Sequence, residues 1–219
     1  MTRTFPLGRL ALLGIALSMM WAATAQAAVQ VAAGVEISSL RMTGTDDARK
    51  GYASNPAVDA AGGSQVFFEW YPFQRLGIGY RYIWVEEEQR HCTIFGCLPY
   101  NQTFTLEANL PTVQLIVVSA PVYRIALLLG RGDVDYRYSA YDGGAPTPYF
   151  TATSSGDATL YGLFADISAG RNPKFPWYRH WGIRFAYYRL TTRIKPVNGL
   201  FLDATGNLFS VGFRYEFGN

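Results

Sequence analysis

Along most of the chain, apolar and polar residues alternate with a period of two, the spacing of strands rather than helices. The stretch from Asn207 to Phe217 is the clearest case. Phe209, Val211, Phe213, Tyr215 and Phe217 fall on one face, with Ser210, Gly212, Arg214 and Glu216 on the other. Upstream, Val29 to Thr43 sets Val31, Ala33, Val35 and Ile37 against Ala32, Gly34, Glu36 and Ser38. Ser64 to Tyr71 sets Val66, Phe68 and Trp70 against Gln65, Phe67 and Glu69. Leu76 to Val85 sets Ile78, Tyr80, Tyr82 and Trp84 against Gly77, Gly79 and Arg81. Two further strands run through Tyr161–Ser168, with Asp166 on the polar face, and Trp181–Tyr188, with Arg184 there.

Two stretches are less regular. Thr103 to Val118 alternates poorly and is interrupted by Pro111. Within Tyr123 to Tyr138, Ile125, Leu127 and Leu129 share a face before Gly130-Arg131-Gly132, and Val134, Tyr136 and Tyr138 share one after it. Glycines at such a change of parity predict a β-bulge. The count is eight strands. Residues 44–63, 86–102, 139–158 and 194–206 read as long polar connections, 72–75 and 119–122 as tight turns, and 170–179 as intermediate.

An even strand number with alternating long and short connections fits a transmembrane barrel with long outer loops and short periplasmic turns. A soluble barrel would turn its apolar faces inward and its polar faces to water. Here the polar faces hold Gly, Ala and Ser with a few Arg, Glu and Asp, which suits a narrow packed lumen. Trp70, Tyr71, Trp84, Tyr136, Tyr138, Tyr161, Trp177, Tyr178 and Trp181 gather near strand ends, as the interfacial girdles of a lipid-facing band do. The expected fold is therefore all-β: an eight-stranded antiparallel up-and-down transmembrane β-barrel.

The N-terminus sets the compartment. Arg3 and Arg9 precede an apolar run, and Ala25-Gln26-Ala27 offers a small-x-small cleavage site, so residues 1–27 read as a secretory signal peptide and 28–219 as one barrel domain. Removing that leader takes two of 19 basic residues and none of 16 acidic ones, leaving 17 against 16. A near-neutral chain offers no case for a nucleic-acid partner. No run of 18 apolar residues exists, which excludes a helical membrane protein and leaves a barrel open.

The leader, the eight alternating strands and an aromatic C-terminal strand resemble the small outer-membrane β-barrel superfamily of Gram-negative bacteria, which includes OmpA's barrel, OmpX and OmpW. The resemblance covers residues 28–219 and rests on architecture, not on a diagnostic motif. It implies residence in the outer membrane of a Gram-negative bacterium, contact with outer-membrane lipid and lipopolysaccharide, and insertion by the barrel-assembly machinery. Members usually end on the aromatic residue, whereas Phe217 is followed by Gly218 and Asn219.

Candidate chemistry lies on the inward faces. Glu36, Glu69, Arg81, Asp166, Arg184, Arg214 and Glu216 form the expected lumen charge set, with Asp133, Asp135 and Arg137 inward nearer the outer end. Centring the last hairpin near residue 200 places Arg184 opposite Glu216. Glu36 and Glu69 come out at similar heights, with Arg184 or Arg214 between them. Such a set is either a structural plug of ion pairs or a gate for small solutes, and a narrow eight-stranded lumen favours the plug. Cys92 and Cys97, in His91-Cys-Thr-Ile-Phe-Gly-Cys97, read as a disulfide closing a small loop. A metal site with His91 lacks a fourth ligand. Arg131-Gly132-Asp133 falls inside a strand and reads as coincidence with the adhesion tripeptide. His91 and His180 are the only histidines, and neither has a companion Ser or acid for a hydrolytic triad. No catalytic, cofactor or metal residues are expected. The leading role is structural or surface-interacting, through the outer loops. The competing role is a narrow channel for small solutes, hydrophobic ones included, followed by a lipid-modifying enzyme.

Overall fold

Polar backbone can cross a membrane as a sheet only if no strand edge is left open. The computed structural model, which describes residues 30–42, 61–93, 96–120, 122–142, 147–148, 150–168, 180–194 and 205–217, meets that condition. Strands β1 (Gln30–Met42), β2 (Ala61–Tyr71), β3 (Leu76–Thr93), β4 (Gly96–Ser119), β5 (Tyr123–Asp142), β6 (Phe150–Ser168), β7 (Trp181–Ile194) and β8 (Gly206–Phe217) follow in order. Each pairs antiparallel with the next, and β8 returns to pair with β1, so the barrel is closed. The leader, residues 1–27, lies outside the described residues, as do Trp177, Tyr178, Gly218 and Asn219.

The strands on one side are longer than the alternation predicts. Most of 86–102 is not a loop but the outer end of a β3–β4 hairpin, and much of 139–158 belongs to β5 and β6. From Leu110 outward to Gly96, β4 rises about 3.3 Å per residue at a tilt of about 40°. The wall formed by β3 to β6 therefore extends well beyond the apolar belt.

Gly130–Gly132 holds no bulge. Thr112 pairs with Gly130 and Asn109 with Asp133, and on the other side Gly130 pairs with Leu160 and Gly132 with Ala158, so the register runs straight through. The irregularities on these strands lie elsewhere, between Ile116 and Val118 and between Arg90 and Cys92. What changes at the glycines is which face is apolar. Leu127 and Leu129 point outward and are exposed, and the same outward row continues as Arg131, Asp133, Asp135 and Arg137. Val134 and Tyr136 lie on the inward row and are buried. Asp133, Asp135 and Arg137 are thus on the outer wall, contrary to the inward placement expected of them.

The inversion is general. On β1, Val35 and Ile37 face out around buried Glu36, whereas buried Leu40 faces in beside exposed Arg41. On β7, Phe185 and Tyr187 face out around Ala186, and Arg184 faces in; a few residues further, Leu190 faces in and Arg193 out. Pro111 marks the same crossover on β4, which is why alternation looked poor there. Two environments explain the pattern. In one zone the outer face is apolar and exposed, with Phe213 60% and Ile37 79% accessible. Outward of it, the outer face is polar and the interior is apolar, as in a water-soluble barrel. A contiguous exposed apolar belt on a closed barrel is a lipid-facing surface. Trp70, Trp84, Tyr161 and Trp181 lie on it, whereas Tyr71 and Tyr136 are inside and Tyr138 packs against the interior.

Candidate functional site

The polar half of the lumen is built from one inward row on each contributing strand. Arg184 on β7 is its hub. Its Nη1 and Nη2 donate to Glu69 Oε1 and Oε2 at 2.5 and 2.9 Å, while Nε and Nη2 donate to Asp166 Oδ1 and Oδ2 at 2.6 and 3.0 Å. The flat faces of the guanidinium are taken by aromatic rings, Phe164 at 3.8 Å and Phe67 at 4.2 Å from centroid. Paired carboxylates at the edges and rings on the faces suit a planar cation. The side chain is fully buried.

Other charges surround the hub. Arg81 Nη1 donates to Glu36 Oε1 at 2.9 Å and to Gln65 Oε1 at 2.7 Å, and its Nη2 lies 4.0 Å from Glu69. Arg124 donates twice to Asp166 Oδ2, at 2.6 and 3.2 Å, beneath the ring of Tyr71. Arg214 Nη2 donates to Glu216 Oε1 at 2.8 Å, and its Nε lies 3.4 Å from Asp166 Oδ2. Tyr71 donates to Glu69 Oε2 at 2.7 Å. Four arginines thus meet four carboxylates, Glu36, Glu69, Asp166 and Glu216, and the cluster is electroneutral.

Local sequence makes the room. Inward positions beside the long side chains are glycine: Gly34 lies against Phe67, and a Cβ at Gly212 would stand 2.6 Å from Glu36 Cγ. Small residues opposite large ones fill a tapering interior without clash. Above the cluster the lumen turns apolar. Leu40, Ile83, Leu106, Leu110, Leu160, Leu190 and Leu208 are fully buried there. Where the two halves meet, Ser38 Oγ, Glu36 Oε2, Arg81 Nε and Tyr188 Oη have no protein hydrogen-bond partner, polar atoms of the kind a buried water satisfies.

Of the seven charges expected in the lumen, Glu36, Glu69, Arg81, Asp166, Arg184 and Arg214 are buried and Glu216 is half-buried, and their pairing differs from the one expected. Arg184 stands opposite Gly212, not Glu216, because Leu190 pairs with Gly206 and the last hairpin is centred two residues earlier than expected. Glu36 is opposite Gln65 and Glu69 opposite Ala32, so these acids are offset along the barrel, not level. Arg184 and Arg81 span the gap between them, while Arg214 turns to Asp166 and Glu216. Arg124 escaped the expected set because it is the second residue of β5 and reads as an interruption of an apolar run. Its parity with Ala126 and Leu128, both inward, was the available signal.

Cys92 and Cys97 lie on the backbone of β3 and β4, where their Cα atoms are register partners. His180 lies beside Tyr215, with ring centroids 5.7 Å apart. Among the described residues, no group of three or more His, Cys, Asp or Glu is arranged to hold a metal ion.

No protein-family model matches the chain, and no curated protein matches it. Solved structures do match. Ail, the attachment invasion locus protein of Yersinia pestis, is 11% identical over 88% of this chain and 100% of its own, with a TM-score of 0.50. The outer membrane protein OprG from Pseudomonas aeruginosa is 12% identical over 88% and 97%, with a TM-score of 0.49. Neisserial surface protein A is 15% identical over 86% and 97%, with a TM-score of 0.44. Likeness at this identity concerns fold alone. The chain has the fold of the small eight-stranded outer-membrane barrels, and its apolar belt supplies the lipid-facing surface that an outer-membrane location requires.

Proposed function

We propose that the protein is a closed, non-conducting and non-enzymatic barrel in the outer membrane of a Gram-negative bacterium, with a structural or surface-interaction role carried by its outer wall and loops. The observation that carries this reading is a lumen filled twice over. The Arg184 cluster fills one half and a layer of leucines the other. An eight-stranded interior is only wide enough for side chains, so a polar solute would have to displace both layers. A channel for polar solutes needs a continuous polar path, which the leucine layer interrupts, and one for hydrophobic solutes needs a continuous apolar path, which the Arg184 cluster interrupts. The carboxylates of the cluster are occupied by guanidinium groups, which leaves them unsuited to acid–base work.

Planar-bilayer recording tests this. Refolded protein and its Arg214→Ala variant are both expected to show no stepwise conductance, because the variant loosens only the ionic half. Stable single-channel openings in either would overturn the closed-barrel reading.

The outer hairpin fits the same role. We take Cys92 and Cys97 to form a disulfide that staples its tip, supported by their cross-strand register and by an oxidising compartment. A thiol assay on the unreduced, denatured protein is expected to find no free thiol. Two free thiols would rule the bridge out.

A further inference from the structure

The wall that β3 to β6 raise beyond the belt carries a polar groove of about 520 Å³ on its outer face, lined by Thr105, Glu107, Asp135, Arg137, Thr153 and Ser155. Two rows of the sheet build it, both centred on β5. In the outer row, Arg137 has Thr105 of β4 and Thr153 of β6 as its cross-strand partners. In the row below, Asp135 stands between Glu107 and Ser155. All six lie on the outward parity of their strands, and Glu107, Asp135, Arg137, Thr153 and Ser155 are exposed. Tyr82 Oη donates to Glu107 Oε2 at 3.1 Å and holds that carboxylate beside Asp135. Among the described residues, Asp135 and Arg137 make no side-chain hydrogen bond or ion pair. The groove is remote from lipid. Asp135 is the third outward position of β5 beyond Leu129, the last exposed apolar one. It stands about 15 Å further out, given a rise of about 3.3 Å per residue and a tilt of about 40°.

Each row has its own chemistry. Arg137 offers a planar pair of N–H donors, the geometry that takes a carboxylate two-pronged, and two threonine hydroxyls flank it. Asp135, Glu107 and Ser155 offer acceptors, and one carboxylate accepts from both hydroxyls of a vicinal diol. Two residues along a strand span about 6.6 Å, so the donor and acceptor rows lie about one pyranose ring apart. A volume within the usual range of small-molecule sites, with outward side chains that are all polar, suits a sugar and not a lipid tail. We infer that this groove binds a carboxylated sugar at the end of a glycan from outside the bacterium, its carboxylate on Arg137 and its hydroxyls on Asp135 and Glu107. The inference deepens the surface-interaction reading of the outer wall and rests on it. A free α-amino acid is too short to bridge the rows, since its carboxylate and ammonium share one carbon. A polysulfated chain fits poorly, because its charges beyond the first meet Asp135 and Glu107.

The full-length mature protein is placed in phosphatidylcholine nanodiscs and titrated with sialyllactose, with its neutral carboxamide and with lactose 3′-sulfate. Saturation-transfer NMR reads the binding. The wild type is expected to bind sialyllactose about tenfold more tightly than the carboxamide, the scale of one charge-assisted pair. It should bind the sulfate no more tightly than sialyllactose. Arg137→Gln should bind sialyllactose and carboxamide alike, whereas Asp135→Asn should weaken both and keep the preference. Arg131→Gln, on the same strand face but outside the groove, should change neither. Equal binding of the two by the wild type, or a preference that survives Arg137→Gln, overturns the site. Tighter binding of the sulfate also overturns it, since any anion would then serve. Repeating the titration in nanodiscs that contain lipopolysaccharide separates the sources. Binding should persist there, and its loss would assign the groove to the bacterium's own glycolipid and defeat the inference. Protein that shows heat-modifiable gel mobility but no carboxylate preference defeats this inference alone, whereas failure to insert defeats the barrel reading beneath it.

Discussion

The two halves of this barrel use the same backbone with opposite chemistry. In the belt half, exposed Val, Leu, Phe and Trp surround an interior of Arg184, Arg81, Glu69, Glu36 and Asp166. In the outer half, Asp135, Arg137 and Glu107 surround an interior of Leu106, Val134, Tyr136 and Leu160. Strand pairing, register and closure pass through the boundary unchanged on β4, β5 and β6. What differs is the surrounding solvent. Lipid takes up apolar side chains at no cost and leaves the narrow lumen to polar groups that satisfy one another. Water outside reverses the preference. The halves also hold together differently. The outer half gains stability from buried apolar area, which is tolerant of a change of partner. The belt half depends on charges whose desolvation is offset only while every partner is present.

The largest effect should follow from breaking that dependence. Arg184→Ala removes the donor of four hydrogen bonds and leaves Glu69 and Asp166 buried with excess negative charge. A loss of about 3–5 kcal/mol is expected, as for a buried pair deprived of one member. Urea unfolding from lipid vesicles, followed by heat-modifiable mobility, reads it. The cost should be electrostatic, not steric. Arg184→Met combined with Glu69→Gln restores neutrality, and the pair should show a favourable coupling of about 0.5–3 kcal/mol. Strictly additive losses would mean that the cluster merely fills space, as the leucines of the other half do.

The contrast explains what could be read from sequence. The period of two is a backbone property, so strand number, order and the inward parity of Glu36, Glu69, Arg81, Asp166, Arg184 and Arg214 were legible. The polarity of a face is a solvent property, and one polarity was assumed for the whole strand. That assumption turned the continuous odd-numbered row Leu127, Leu129, Arg131, Asp133, Asp135 of β5 into a bulge. It also cut β3 to β6 short, since Thr, Ser and Asp facing water look like loop. Partners within the cluster were less legible for another reason. Register between β7 and β8 is set by the turn that joins them, and the turn-favouring pair Asn198-Gly199 lies nearer the observed centre than residue 200, on which the expected pairing was centred. A two-residue displacement there moves the partner of Arg184 from Glu216 to Gly212. Tyr71 misled in a related way, because an aromatic residue at a strand end suits an interfacial girdle as well as a lumen acid.

The inversion itself is tested by placing one charge on the same outward face at two heights. Phe185 lies in the middle of the belt on β7, between exposed Ile183 and Tyr187. Phe185→Arg puts a guanidinium into hydrocarbon and should cost about 2–4 kcal/mol, the depth-dependent price of a lipid-facing cation. Asp135 faces outward on β5 with Glu107 and Ser155 as its cross-strand neighbours. If the outer wall stands in water, Asp135→Arg changes a solvated charge beside a carboxylate and should shift stability by no more than about 0.5 kcal/mol. The difference between the two variants therefore measures where lipid ends along the barrel. Equal penalties would put both positions in one environment and return β5 to a single amphipathic polarity, with the apolar row Val134, Tyr136 and Tyr138 left without a reason to face inward.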